Sequence, residues 1–119
     1  MDEATKIIAL TECLLIWDRA AETDGDKRAA ARVLFGEGKI AKQFYLHGCP
    51  FCDYLGVVYA MNHIDCSQCL WPGAGDYRCE QDHKSPYALW RKVSRARGFS
   101  PQLARAAGKV FKLLETIDI

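Results

Sequence analysis

Two cysteine pairs, Cys49-Pro50-Phe51-Cys52 and Cys66-Ser67-Gln68-Cys69, stand thirteen residues apart in the middle of this chain. Each pair places two thiols on one tight turn, and the connector can fold back so that four sulfurs surround one ion. Zn²⁺ suits such a donor set, because it accepts four thiolates in tetrahedral geometry. The spacing therefore predicts a zinc site whose ligands are Cys49, Cys52, Cys66 and Cys69.

Two further metal ligands follow the second cysteine pair. Cys79 and His83 form a Cys-x₃-His pair, and either residue can replace one thiolate in a Cys₃His site. A catalytic zinc ion would need an open coordination position and a nearby acid or base. The zinc hydrolase and deaminase motifs are absent from the sequence. The metal is therefore predicted to be structural, and the protein is predicted not to be an enzyme.

Composition indicates one globular domain in the cytoplasm. Hydrophobic residues make up 50% and charged residues 26% of the 119 residues, which is typical of a folded domain. The acidic start Met1-Asp2-Glu3 lacks the positive charge of a secretory signal. The apolar stretch from Ile7 to Trp17 is too short to cross a bilayer. Six cysteines could form three disulfides in a secreted protein, but without an export signal they are expected to be reduced and able to bind metal.

Hydrophobic periodicity predicts an amphipathic helix over residues 3–22. Asp2 is its predicted cap, and the turn Thr23-Asp24-Gly25 ends it. Cys13 lies beside the apolar stripe and is expected to be buried as a small hydrophobic residue. The stripe expected to face the core has three- and four-residue steps and consists of Ile7, Leu10, Leu14, Trp17 and Ala21.

The next segments are shorter. A helix is predicted over 26–35 and is interrupted by Gly36-Glu37-Gly38. Residues 39–46 fit a helix or a strand, and a helix is favoured. Pro50 suits the first position of a helix that begins after Cys49.

The last third of the chain uses one capping device twice. Ser85-Pro86 and Ser100-Pro101 each place a hydroxyl before a proline at the first helical position. They predict helices over 86–97 and 101–117. The predicted core residues of the first helix are Leu89, Trp90, Val93 and Ala96. Those of the second helix are Leu103, Ala107, Val110, Phe111 and Leu114.

These elements predict a mostly α fold, with about five helices around a central Cys₄ zinc site in a small single domain. Residues 1–47 form its acidic amino-terminal helices, 48–83 its zinc module and 84–119 a basic helical hairpin.

Charge is distributed unevenly, although the net charge is only +1. Residues 1–26 hold seven acids and two bases, whereas His83 to Leu114 contain eight bases and no acid. One interpretation is that the two halves neutralise each other across the fold. The other is that the basic hairpin binds an anionic partner.

The basic hairpin resembles a helix-turn-helix in outline, with Gly98 in the turn and Phe99 after it. An ordinary helical hairpin is the simpler interpretation. If the hairpin binds nucleic acid, the second helix would present its polar side chains to the bases and the first helix would contact phosphates. The predicted nucleic-acid contacts are Lys84, Arg91, Lys92, Arg95, Arg97, Gln102, Arg105 and Lys109.

The segment from Cys49 to Trp90, with two CxxC pairs, Cys79 and Ser85-Pro-Tyr, resembles small phage-encoded cysteine-rich proteins. The resemblance implies a phage or prophage accessory protein that binds host machinery. Two functions are therefore open, namely nucleic-acid binding and regulation or inhibition of a host nucleic-acid or defence protein. Trp71, Tyr77 and Tyr87 would suit a protein interface, and packing around the metal loop is an equally good interpretation.

A third alternative is enzymatic. The stretch from Lys42 to Cys52 resembles the active-site entry of a glutaredoxin, in which a CPFC turn starts a helix and the first thiol is the nucleophile. The resemblance implies a thiol oxidoreductase acting through Cys49 and Cys52. The second CxxC pair has no role in that mechanism.

Overall fold

The structure is a computed structural model that describes residues 2–41, 50–54, 86–95 and 101–118. These residues are mostly helical and include no strand, which confirms the predicted mostly α class. Four helices have ten residues or more, and the remaining one is little longer than one turn. In chain order they are α1 (Glu3–Glu22), α2 (Lys27–Gly36), α3 (Pro50–Tyr54), α4 (Pro86–Arg95) and α5 (Pro101–Glu115).

Both ends of α1 form as the sequence predicts. Asp2 Oδ1 accepts a hydrogen bond from the Thr5 amide at 2.7 Å. Hydrogen bonds from the Thr5 side chain and amide hold the pKa of Asp2 below its ordinary value. At the other end, Gly25 adopts a φ of +80° and its amide donates to the Ala20 carbonyl at 2.8 Å. The predicted boundaries 3–22 are therefore confirmed.

The face that α1 buries differs from the predicted stripe. Ile7 is 53% exposed, and Leu10 and Leu14 are only partly buried. The buried residues are Ala9, Glu12, Cys13, Ile16, Trp17 and Ala20. Half of this set, namely Ala9, Cys13 and Ala20, has small side chains, which let a neighbouring helix approach closely. On α5, a Cβ added to Gly108 would lie 3.8 Å from the Ala21 Cβ of α1.

Helix α2 begins one residue later than predicted, and Asp26 caps it. The Asp26 carboxylate accepts hydrogen bonds from the amides of Arg28 and Ala29, at 2.9 and 3.1 Å. The helix ends at Gly36, and Gly38 adopts a φ of +73°. Residues 39–41 are not helical, contrary to the favoured interpretation of 39–46, whose remaining residues lie outside the described part.

The basic hairpin begins as predicted, because Pro86 and Pro101 are the first residues of α4 and α5. Helix α5 ends at Glu115, two residues before the predicted end. Its predicted core residues are buried except for Phe111, which is only partly buried. Helices α1 and α4 both contact α5, and the buried residues of α1 and α5 belong to one hydrophobic core. On α4, Trp90 is buried whereas Leu89 is 44% exposed, which contradicts its predicted core position.

Candidate nucleic-acid interface

A groove with a volume of about 470 Å³ runs between α4 and α5. Its apolar residues, which we call the floor, are Pro86, Leu89, Val93 and Ala106. Its polar residues are Lys92, Gln102, Arg105 and Lys109. All four polar residues are exposed. We call this surface the basic groove.

Helical spacing explains why these side chains meet. On α5, Gln102, Arg105 and Lys109 follow one another at three- and four-residue steps and therefore share a face. The opposite face of α5 carries the buried residues Leu103, Ala107, Val110 and Leu114. Packing of that apolar face against α1 therefore turns the polar face of α5 toward the basic groove.

The α4 side of the groove follows the same rule. Tyr87 and Trp90 are three residues apart and point into the core, where both are 8% exposed. Leu89 and Val93 are four residues apart and lie on a different face, which forms part of the groove floor. Lys92 stands beside them and adds a cation from α4. The angular separation of Leu89 from Trp90 on a helix was the signal in the sequence that Leu89 belongs to another face.

Positive charge in the basic groove comes from both helices. Arg105 and Lys109 are four residues apart on α5, which corresponds to about 6 Å along the helix axis. Phosphates of one DNA strand recur at about 3.4 Å measured along the duplex axis and lie farther apart along the winding strand, so these two cations can reach neighbouring phosphates. Glu115 is the only acidic residue in the sequences of α4 and α5, and it lies at the last position of α5.

Half of the predicted nucleic-acid contacts come together in this groove. Those are Lys92, Gln102, Arg105 and Lys109. Arg91 is partly buried on α4 and is not among the residues that line the groove. Arg95 ends α4, and its side chain lies outside the described part, as do Lys84 and Arg97.

A second cluster of charge and aromatic rings lies on the core side of α4. The side chain of Lys27, the first residue of α2, is enclosed by three rings and is 5% exposed. Its Nζ lies 5.7 Å from the ring centroid of Trp17, 5.1 Å from that of Tyr87 and 5.4 Å from that of Trp90. It also donates a hydrogen bond to Tyr87 Oη at 3.4 Å. We call Trp17, Tyr87 and Trp90 the aromatic cage.

The aromatic cage was not predicted from the sequence. Trp17 was predicted to be buried by its position in the apolar stripe, and Trp90 by its position in α4. Tyr87 was expected to suit a protein interface, but it is buried. Lysine near the start of a helix is usually exposed, so nothing local indicated that Lys27 would meet these rings.

The predicted zinc ligands lie almost entirely outside the described residues. Cys49, Cys66 and Cys69 lie outside the described residues, as do the alternative ligands Cys79 and His83. Cys52 lies on α3, but its side chain is not described. Of the six cysteines, the structure places the Cys13 side chain, which is buried as predicted. Within the described ranges, no three His, Cys, Asp or Glu side chains form a metal-binding group.

The turn of the first CxxC pair is nevertheless attached to the core. Pro50 begins α3, as predicted, and both Pro50 and Phe51 are fully buried. Tyr54 at the end of α3 donates a hydrogen bond to the Glu12 carboxylate of α1. The other Glu12 oxygen accepts from the Ala41 amide at 3.0 Å. Helix α3 is therefore held against α1 by both apolar and polar contacts.

Comparison with known proteins gives no relative from which a function could be transferred. No protein-family model, curated protein or solved structure matches this chain. In the ranges that the structure describes, none of the helices has the length and apolar character needed to cross a membrane.

Proposed function

We propose that this is a non-enzymatic protein that binds nucleic acid through the basic groove. The supporting observation is that three cations from two helices, Lys92, Arg105 and Lys109, line one exposed groove together with Gln102. Such an arrangement can pair with successive phosphates of one strand. Affinity supplied in this way falls steeply with salt, because each phosphate contact releases condensed counterions.

The test compares two charge-matched double variants. Arg105→Ala with Lys109→Ala removes two cations from the basic groove. Arg28→Ala with Arg32→Ala removes two exposed cations from α2, which is not part of the groove. Both pairs lower the net charge equally and place alanine, a good helix former, in a helix.

Binding is measured by fluorescence anisotropy with a labelled duplex DNA of mixed sequence at several salt concentrations. We expect the groove variant to bind about tenfold more weakly and to lose about 1.8 from the slope of log K against log salt, the value for two phosphate contacts. The α2 variant should keep the wild-type slope. Equal losses in both variants, or no binding by the wild type, would contradict the proposal.

We propose in addition that Cys49, Cys52, Cys66 and Cys69 hold one structural Zn²⁺. The donor set is chemically right for this ion, and burial of Pro50 and Phe51 attaches the first cysteine turn to the helical core. Elemental analysis of the purified protein should find one zinc per chain, and Cys66→Ser with Cys69→Ser should abolish it. Metal-free protein that reduces mixed disulfides would instead support the glutaredoxin-like alternative.

A second candidate function is regulation of a host nucleic-acid or defence protein. The observation that favours it is the apolar floor of the basic groove, where Leu89 is 44% exposed. An acidic amphipathic helix could lay its apolar face on such a floor and pair its acids with Lys92 and Arg105. Leu89→Ser distinguishes the two functions, since it should barely change binding to DNA but should abolish capture of a protein partner.

A further inference from the structure

We infer that Lys27 is a positioning residue for the basic groove and sets the place of α4 through the aromatic cage. The inference rests on the proposed function. Lys27 belongs to α2, whereas two of the three rings around its Nζ, those of Tyr87 and Trp90, belong to α4. Tyr87 and Trp90 lie on the same helix as Lys92, Leu89 and Val93 of the groove.

The position of Lys27 in α2 indicates that its contact with the aromatic cage is not incidental. A cation at the first residue of a helix faces the positive end of the macrodipole, which is unfavourable. Burial to 5% exposure also removes water from the ammonium group. Three rings within 6 Å compensate for both, because the negative faces of aromatic rings attract a desolvated cation strongly.

The rings of the cage are themselves arranged to hold α4 in one place. Trp17 of α1 meets Trp90 edge to face, with ring centroids 5.1 Å apart and an interplanar angle of 90°. Trp90 Nε1 donates a hydrogen bond to the Gly25 carbonyl at 2.8 Å. Both contacts, like that of Lys27, join α4 to the amino-terminal helices or their connecting turn. The groove face of α4 is therefore oriented by contacts on its opposite side.

The experiment compares Lys27→Met, which keeps length without charge, with Lys27→Arg, which keeps charge. Arg28→Ala serves as control, because it removes a neighbouring exposed cation. We expect Lys27→Met to lower the salt slope of duplex DNA binding by about 0.9, the value of one phosphate contact, because Lys92 is displaced. Lys27→Arg and Arg28→Ala should keep the wild-type slope. Simple destabilisation would lower Tm but leave the slope unchanged, since every folded molecule would keep its phosphate contacts.

Amide hydrogen exchange provides a second measurement that does not depend on DNA. We expect faster exchange in residues 86–95 of Lys27→Met and unchanged exchange in residues 3–14. If the wild type binds DNA and Lys27→Met keeps its slope, the inference is overturned. If the wild type does not bind DNA, the proposed function fails, and exchange alone decides whether Lys27 positions α4. Unchanged exchange in residues 86–95 would then overturn the inference as well.

Discussion

The amino-terminal helices and the basic hairpin differ in where they place acidic and basic side chains. Helices α1 and α2 bury one acidic and one basic side chain, Glu12 and Lys27, and each is held by groups from distant parts of the chain. Helix α5 buries only apolar residues, and its charged side chains are exposed. Charge therefore helps to assemble the core in the first region, whereas in the hairpin it lines a surface.

This difference indicates where substitutions should affect folding and where they should affect binding. Buried polar groups are sensitive because removal of one partner leaves the other without its hydrogen bonds. Exposed cations in the basic groove can be removed with little effect on the fold. The predictions below test the contrast, beginning with the joint between the two regions.

The largest effect is expected at Gly25, where the α1–α2 turn meets α5. A Cβ on this residue would lie 2.4 Å from the backbone carbon of Leu103, and φ is +80°. Gly25→Ala should therefore lower the free energy of unfolding by about 4 kcal/mol, through overpacking and backbone strain. Gly38 is the control, because it has a φ of +73° but open space around it. Gly38→Ala should lower the free energy of unfolding by about 1 kcal/mol, measured by urea unfolding. Equal losses of stability in Gly25→Ala and Gly38→Ala would mean that the α1–α2 turn does not contact α5 closely.

The next effect concerns Glu12, the buried acid of the amino-terminal region. Glu12→Ala removes the acceptor for Tyr54 and the Ala41 amide. It should lower the free energy of unfolding by about 3 kcal/mol, because two partly buried hydrogen bonds to its carboxyl group are lost. The exposed neighbour Thr11 provides the control, since Thr11→Ala should change it by less than about 0.5 kcal/mol. A small loss for Glu12→Ala would show that this acid does not hold α3 on α1.

A gain in stability is expected within α5. Gly108 is an interior helical residue, and an added Cβ would lie 3.8 Å from the Ala21 Cβ, an ordinary contact distance. Gly108→Ala should therefore raise the free energy of unfolding by about 1 kcal/mol through helix propensity. A loss of stability on thermal or urea unfolding would show that α1 and α5 lie closer together than the structure has them.

The smallest effect should appear at the exposed start of α1. The pKa of Asp2 is lowered by hydrogen bonds from Thr5. A lowered pKa means that the charged form is favoured in the folded state, so its stabilisation is present above the ordinary pKa and is lost as pH falls through the folded value. Asp2→Ala should lower Tm by at most about 3 °C at neutral pH. The difference from wild type should shrink below about pH 4, and a difference that grows in acid would contradict this cap.

Local features of the fold were predictable from the sequence. Asp2 and Gly25 mark the ends of α1, and Pro86 and Pro101 begin α4 and α5 as predicted. These signals act within a few residues, through a side chain that accepts a backbone amide or a φ that only certain residues adopt readily. The core face of α5 was also predictable, because only one of its faces is apolar.

The candidate site was predictable only in part. The acid-free stretch and the exposed spacing of Gln102, Arg105 and Lys109 identified the polar face of α5. Sequence periodicity misplaced Leu89, which lies in the groove floor instead of the core. It also misplaced the core face of α1, because this helix contacts α2, α3 and α5 and so has several partly buried faces.

The sequence by itself therefore determined the first residues of α1, α4 and α5, the Asp2 cap and the excess of positive charge near the carboxyl end. Tertiary structure decided which side of α1 is buried, which lysine enters the aromatic cage and which cations share the basic groove. The physical reason is the sequence separation between interacting residues. A cap needs partners three or four residues away, whereas Lys27 contacts Tyr87 across sixty residues of sequence. Contacts over such separations depend on how all the helices pack together, and no local pattern of residues specifies them.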